Sequence, residues 1–444
     1  MRRIPLGVLV LGAIVALGGV APAADFGVPC ATNAEAGTAF AEGVNCRVLE
    51  VDGYPREYLV YVPASASARM GAGELVPLVL MLHGTSGDGE KFLKISGWRE
   101  KADAGGFIAA FPTGLTYRVL EPGEPPTTTT KWNSYDLASH IDPAVQPDGY
   151  PAGAPWPADD VSFLRGVAAD VATQLPIDTR RIFLSGFSNG GEMCSRIGIE
   201  ASDLFAAVGC NAGTLETVHR TTTGHPNIPM TLVIGTIDPK VLARIQAVDP
   251  SYREIPLDPG ELQNTPVIRD IVPTVLTSLA LADRPVDVVT KPTYTELTWR
   301  TGAAGNTDGN LFRFWVLKGV EHEYPNGTNN PHKFVMADAY WDFFNEHPLT
   351  VEPPDLTPDT KAPNTKIKKD PPNRTDAREV TYKFKADDAG ATFACKLDHK
   401  GYKDCKSPDK LHVKPGQHTF RIRARDAAGN QEEKPAKDTF RVVR

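Results

Sequence analysis

Ser188 stands in RRIFLSGFSNGGEMC, residues 180–194, with Gly186 two positions before it and Gly190 two positions after. A serine hydroxyl attacks a carbonyl carbon only when a base takes its proton, a carboxylate holds that base, and N–H donors receive the oxyanion that forms. The chain offers a candidate for each part. Asp238 closes the apolar run MTLVIGTIDP, and His322 closes LFRFWVLKGVEHEYP. Nucleophile, acid and base then follow one another as Ser188, Asp238 and His322, one of the orders in which such sets occur. In LVLMLHGTSGDG, residues 78–89, another apolar run breaks into glycines. The N–H groups of Thr85 and of Asn189, the residue after the serine, are the expected oxyanion donors. His83 reads as a residue that shapes this loop, and His83, Trp132 and Trp156 are the candidates for substrate contact. The chemistry these types and spacings fit is acyl transfer through a serine. No metal site is expected: His219 and His225 lie in a threonine-rich stretch with no further ligand at zinc spacing. No cofactor is implied.

Such residues work only if the fold brings them together. Ile182, Phe183 and Leu184 read as a buried strand, and residues 192–196 as the start of a helix. The serine therefore sits at a strand-to-helix corner, where a strained backbone exposes the hydroxyl and the flanking glycines avoid a clash. Further strands are expected at 58–62, 78–82, 107–111, 181–185, 205–210, 230–235 and 311–317. Helices are expected at 89–104, 160–174, 190–200, 266–281 and 331–344. The alternation implies an α/β fold with a mainly parallel sheet covered by helices on both faces. Asp238 and His322 then fall at carboxyl ends of strands, where open parallel sheets place their sites. Asp238 taken by itself reads first as a turn residue that caps its strand. Residues 115–158 carry eight prolines and the run Thr127-Thr128-Thr129-Thr130; a loop of this length beside a reactive corner is expected to be functional.

The 444 residues exceed one typical domain. Residues 1–23 carry Arg2 and Arg3, an apolar run and Ala21-Pro22-Ala23, the pattern of a secretory signal peptide. Export to the extracellular space and no membrane span are therefore expected. The first domain would occupy 24–350. Residues 351–363, VEPPDLTPDTKAP, read as an extended linker. From Asp355 onward there are 21 Lys and Arg against 14 Asp and Glu; subtraction from the totals of 47 and 54 leaves 26 against 40. Two units of opposite charge are joined. The second, 364–444, alternates apolar and polar residues in VTYKFKA, ATFACKL, HTFRIRA and DTFRVV, and reads as a small all-β sandwich. Its basic residues look spread along strands, which favours a solvated surface over an anionic-polymer site, and no nucleic-acid partner is implied. An oxidising compartment would favour disulfides among the six cysteines, which allow 15 pairings. Neighbour pairing gives Cys30–Cys46, Cys194–Cys210 and Cys395–Cys405, with free buried thiols the alternative for Cys194 and Cys210.

Together LHGTSGDG, FPTG, DDVSFLRGV, GFSNGG, FAAVGCNAG, GTIDP and GVEHEYP, over about residues 45–346, resemble the α/β-hydrolase fold and, more narrowly, the secreted polyhydroxybutyrate depolymerase and feruloyl esterase group. The resemblance implies a serine carboxylic ester hydrolase acting on polymer-linked esters, with Ser188 as nucleophile, Asp238 as acid, His322 as base and residues 83–85 as oxyanion loop. Lys131 departs from the pattern, since many relatives carry cysteine before the Trp132-Asn133 pair. A feruloyl or acetyl-xylan esterase, a serine peptidase of the same fold and a non-catalytic adhesin are the alternatives. In the second unit CKLDHKGYKDC and HTFRIRARDAAGN are similar to bacterial immunoglobulin-like modules, which implies a spacer or a unit that binds a polymer or cell-wall surface.

Overall fold

A computed structural model of the chain describes residues 39–120, 125–134, 137–142, 156–213, 229–301, 309–356, 361–388, 390–425 and 431–443. Residues 1–23, Cys30, His219 and His225 fall outside them. The chain divides into two compact units, Met1–Pro354 and Asp355–Arg444.

The first unit begins with β1 (Gly43–Val51), β2 (Tyr54–Val62), α1 (Ala64–Gly71), β3 (Val76–Leu82), α2 (Gly89–Ile95), α3 (Trp98–Gly105) and β4 (Ile108–Pro112). A hairpin of β5 (Leu115–Val119) and β6 (Thr127–Lys131) precedes α4 (Asp160–Gln174). Then come β7 (Ile177–Phe187), α5 (Asn189–Glu200), β8 (Ala207–Asn211), β9 (Pro229–Gly235), α6 (Pro239–Gln246), α7 (Pro259–Asn264) and α8 (Ile268–Ser278). β10 (Asp287–Lys291), β11 (Tyr294–Arg300), β12 (Leu311–Leu317) and α9 (Met336–Asn345) complete it.

Ten strands form one sheet in the order β1-β2-β4-β3-β7-β8-β9-β12-β11-β10. The sheet is mixed: β4, β3, β7, β8, β9 and β12 run parallel, while β1 and β2 at one edge and β11 and β10 at the other add as antiparallel pairs. Every residue of β3 is buried, as expected for a strand covered on both faces. Successive residues of β7 show the two layers. Phe183 stacks on Phe344 of α9, 4.8 Å between ring centroids. Leu184 and Gly186 look the other way, where a Cβ on Gly186 would meet the Gly190 carbonyl oxygen at 2.0 Å and Cys194 Cβ at 3.1 Å. α5 and α9 therefore cover opposite faces.

Local chemistry accounts for the departures from the expected elements. The expected helix over 89–104 is two helices, because Gly97 takes a left-handed φ of 78°; Asp88 caps the first through Lys91 N–H. The expected helix over 331–344 starts only at Met336. The stretch 115–158 is not structureless: its four threonines, β-branched and suited to extended backbone, pair with β5 in the register Val119↔Thr127 to Leu115↔Lys131. Among the described residues no helix is long and apolar enough to cross a membrane.

The second unit has two sheets, β13 (Thr365–Lys369), β15 (Glu379–Ala386) and β18 (Asp409–His412) in one, and β14 (Arg374–Thr375), β20 (Ala436–Val442), β19 (Gly416–Arg425), β16 (Thr392–Leu397) and β17 (Lys403–Cys405), in that order, in the other. Val380, Tyr382, Phe384, Phe420, Ile422 and Phe440 fill the space between them. Cys395 and Cys405 are joined by a disulfide.

One buried ion pair fixes the segment that later overlies the reactive corner. Arg56 and Asp160 are 1% and 0% exposed, with Nη2 to Oδ1 at 2.5 Å. The other carboxylate oxygen accepts from Asn133 N–H at 2.6 Å, and Arg56 lies 4.0 Å from the Phe163 ring centroid. Removing one member of such a pair strands its partner without water. Asp160→Leu is expected to lower unfolding stability by about 3–5 kcal/mol, measured by urea denaturation; a loss below about 1 kcal/mol would show that Arg56 finds water instead.

Candidate active site

β7 runs into α5 at Ser188, whose φ of 54° and ψ of −122° lie outside the ordinary helix and strand regions. Close backbone contacts hold it there. A Cβ on Gly190 would sit 2.3 Å from the His83 carbonyl oxygen, and one on Gly191 would sit 2.6 Å from that of Asn211. Asn211 also accepts the Ser188 N–H at 2.8 Å. The corner thus fits only because glycines stand where the neighbouring backbone crosses.

Ser188 Oγ lies 2.9 Å from His322 Nε2, and His322 Nδ1 lies 2.8 Å from Asp238 Oδ2. Asp238 is fully buried and His322 is 15% exposed, so the acid is dry and the base reaches solvent. The carboxylate has two tasks. Oδ1 accepts from Lys240 N–H at 2.9 Å and Val241 N–H at 3.3 Å, capping α6 with Pro239 in its first turn, while Oδ2 faces the imidazole. The turn reading of Asp238 describes Oδ1, while Oδ2 is left to the imidazole. His322 is carried by a loop anchored beneath it: Tyr324 Oη lies 3.0 Å from Ser185 Oγ and accepts from Trp98 Nε1 at 2.9 Å. Gly319 N–H donates to Thr236 Oγ1 at 2.9 Å. Phe187 flanks the imidazole, 5.2 Å between ring centroids.

A cleft of about 440 Å³ opens on this line. Thr85 and Asn189 border it with Ser188 and His322, as do Lys131, Lys240, Arg244 and Glu192. The Asn189 N–H is at the first position of α5, where a helix donor has no partner within the helix. Charged residues of this rim were not among the sequence candidates, since nothing in the spacing of Lys131, Glu192, Lys240 and Arg244 brings them together before the sheet is formed.

Three candidates for substrate contact take other places. His83 and Trp132 are both fully buried, which removes them from the substrate's reach. His83 Nδ1–H donates to Gly84 O at 2.7 Å and Nε2 accepts from Gly114 N–H at 2.8 Å. Trp132 turns inward, its Nε1–H donating to His83 O at 2.8 Å. The Asn189 side chain grips the Trp132 backbone from both sides, accepting its N–H at 2.7 Å and donating to its carbonyl at 3.2 Å. Ser86 N–H donates to Thr130 O at 3.0 Å, and Arg196 donates to Asn133 O at 2.6 Å. Residues 130–134 are thus a strap joining the 83–87 loop to the start of α5. Trp156 packs against Tyr117, 4.9 Å between ring centroids, and is absent from the cleft wall. The positioning role of the Asn189 amide was missed, because its backbone place in the motif hides what its side chain does.

Beneath the corner, Cys194 and Cys210 are free buried thiols, the second of the two readings the sequence left open for them. Their sulfurs face each other in a site with no solvent exposure, and burial pushes the Cys194 thiol well up. Cys46 is disulfide-bonded; Cys30, its expected partner, lies outside the described residues.

No family model matches the chain. The curated protein NocK of Nocardia uniformis subsp. tsuyamanensis, named as an esterase, is 28% identical over 193 residues, 44% of this chain and 48% of that protein. The chain therefore spans about half the length of that relative. Among solved structures, an acetyl xylan esterase from Aspergillus awamori matches with TM-score 0.42 and 14% identity over 68% of this chain and 99% of that one. An S-formylglutathione hydrolase from Agrobacterium tumefaciens matches with TM-score 0.39 and 13% identity over 70% and 98%.

The burial of His83 gives a pH signature. Loss of hydration holds its imidazole down to about 4, against about 6.5 for an unperturbed histidine. Between these values the unfolded chain binds a proton that the folded chain refuses, so stability falls as pH falls through that window and levels off below it. The residue's share is about 3 kcal/mol. Urea unfolding of the protein and of His83→Asn from pH 7 to 4 is expected to show a shallower pH dependence in the variant. Equal slopes would show that His83 protonates normally in the folded chain.

Proposed function

We propose that the chain is an exported serine carboxylic ester hydrolase of the α/β-hydrolase type, working through an acyl-enzyme. The observation that carries this reading is the hydrogen-bonded line from Ser188 through His322 to Asp238, set at a positive-φ corner and open to a cleft. The likeness to NocK supports the esterase class. In the proposed cycle His322 Nε2 takes the Ser188 proton as Oγ bonds to the ester carbonyl carbon. Asp238 holds the imidazole with Nδ1–H toward itself and stabilises the imidazolium. The N–H groups of Asn189 and Thr85 receive the oxyanion. Collapse breaks the bond to the alcohol, which leaves with the proton from His322; water then repeats the steps on the acyl-enzyme and returns free acid and serine. Buried Asp238 is well suited to this, because a dry carboxylate is not screened by water.

We take the substrate to be a polymer-linked ester such as polyhydroxybutyrate, with a feruloylated or acetylated polysaccharide as the alternative. The leader at 1–23 is proposed to direct export, and the immunoglobulin-like second unit to serve attachment. A polyhydroxybutyrate film assayed beside methyl ferulate separates the two substrate readings. Casein digestion in place of ester hydrolysis would favour a peptidase, and silence on all of them a retained scaffold.

Ser188→Ala is expected to lower turnover of a nitrophenyl ester by about a million-fold while leaving the unfolding midpoint in place. Activity above a hundredth of wild type would put the nucleophile elsewhere. Asp238→Asn is expected to lower kcat by about ten-thousand-fold, because an amide favours the wrong imidazole tautomer; a near-normal rate would point to another carboxylate.

A further inference from the structure

In the second unit, strand register gathers what looks scattered in sequence. Arg421, Arg423 and Arg425 alternate with the buried Phe420, Ile422 and Ala424 along β19, so all three point to the outer face of the five-stranded sheet. Arg421 lies directly opposite Lys396 on one neighbour and Lys437 on the other. Arg441 follows Lys437 on the same side of β20 and pairs with Arg374 of β14. Seven cations thus share one face, about 5 Å apart across strands and about 7 Å apart along them. The face holds one acid by register, Asp404, opposite Ala394 on β16.

Like charges directly opposite one another destabilise a sheet, and no ion pair among the described residues relieves them. The ion pairs in this unit join Lys410 and His412 to Glu379 and His418 to Asp398; among the described residues none involves the seven. Arg423 is held instead by the Tyr402 ring, 4.1 Å from its centroid, with Lys396 Nζ 4.7 Å from the same ring. Its Nε is buried without a hydrogen-bond partner. A depression of about 350 Å³ lies beside it, bordered by Thr392, Ala394, Asp404, Arg423 and Arg425. The opposite sheet is basic too, through Lys366, Lys383, Lys385 and Lys410, but its strands carry no arginine, and Lys410 is paired with Glu379. Lysines on edge strands, as Lys366 of β13 and Lys410 of β18, serve to deter pairing with other chains. That explanation does not reach β19, which is the central strand of its sheet. Arginine also presents a planar fork that matches carboxylate, sulfate and phosphate oxygens in pairs.

We infer that the β20–β19–β16 face of the second unit is a binding surface for an extended acidic polysaccharide, held by the forks of Arg421, Arg423 and Arg425. A single-stranded nucleic acid fits less well, because such sites add aromatic platforms for successive bases, and the aromatic ring at this face, Tyr402, is already covered by two cations. The surface is independent of the ester-hydrolysis reading, since it shares no residue with the cleft.

Retardation of the full-length protein in native gels tests this, with polygalacturonate, dextran sulfate, neutral dextran or double-stranded DNA in the matrix. Retardation by one or both acidic polysaccharides and none by neutral dextran is expected. Polygalacturonate alone would assign a carboxylate ligand and dextran sulfate alone a sulfate-type one. The triple variant Arg421→Gln/Arg423→Gln/Arg425→Gln is expected to weaken binding at least tenfold and to flatten the dependence on salt by about one unit of slope for each guanidinium removed from the polymer. The charge-matched Lys366→Gln/Lys383→Gln/Lys385→Gln is expected to stay within about threefold, and Arg→Lys at the three arginine positions to fall between. Thermal melts of each variant establish that the sandwich is intact. Equal losses in both triple variants would mean attraction by net charge alone and overturn the proposal. So would absence of binding, or tighter binding to DNA than to either acidic polysaccharide.

Discussion

At residues 186 and 190 two pieces of backbone approach so closely that only hydrogen fits between them. A Cβ at Gly186 would lie 2.0 Å from the Gly190 carbonyl oxygen, and one at Gly190 would lie 2.3 Å from that of His83. This close approach sets the position of everything else in the site. It forces the turn to close at Ser188, holds the 83–87 loop against the start of α5, and brings the end of β8 up to Gly191. A non-glycine residue at such dihedrals stores of the order of 1–3 kcal/mol. Here the surrounding sheet enforces it, because Ser188 N–H is tied to Asn211 O on the neighbouring strand.

Polar groups in the interior of the first unit are used twice. Asp238 divides its oxygens between a helix cap and an imidazole, and Asp160 divides its own between a guanidinium and a backbone N–H. Asn189 gives its side chain to the strap and leaves its N–H at the cleft. Such sharing keeps buried charges paired, although Arg56 Nε is left without a hydrogen-bond partner. The outer face of β19 in the second unit is the reverse case: among the described residues its charges of one sign stand side by side with a single acid, Asp404, and no ion pair.

Ser188, Asp238 and His322 were legible because each ends an apolar run at the carboxyl edge of a strand, and because glycine spacing reports a steric limit that any fold must respect. β6 was not, since four threonines among prolines show no alternation of apolar and polar residues; its pairing with β5 decides its conformation. Trp132 reads the same in sequence whether its indole faces a ligand or the core. Only the donor–acceptor match with His83 O turns it inward. The break at Gly97 was hidden because a glycine is tolerated in a helix and is compelled to left-handed dihedrals only by what packs around it. In the second unit the cations looked dispersed because register, which is a property of paired strands, is what lines them up.

His322 meets Ser188 across 134 residues of chain and Asp238 across 84. Contacts so distant in sequence form only after the intervening loops have closed. The corner at Ser188 lies between β7 and α5, but the imidazole that faces it follows β12, which joins the parallel sheet beyond β8 and β9. A chain in which β12 has not yet paired with β9 therefore leaves Ser188 without the imidazole that faces it in the folded state. The hydrogen-bonded line from Ser188 to Asp238 is therefore a property of the finished sheet and not of the corner that holds the serine.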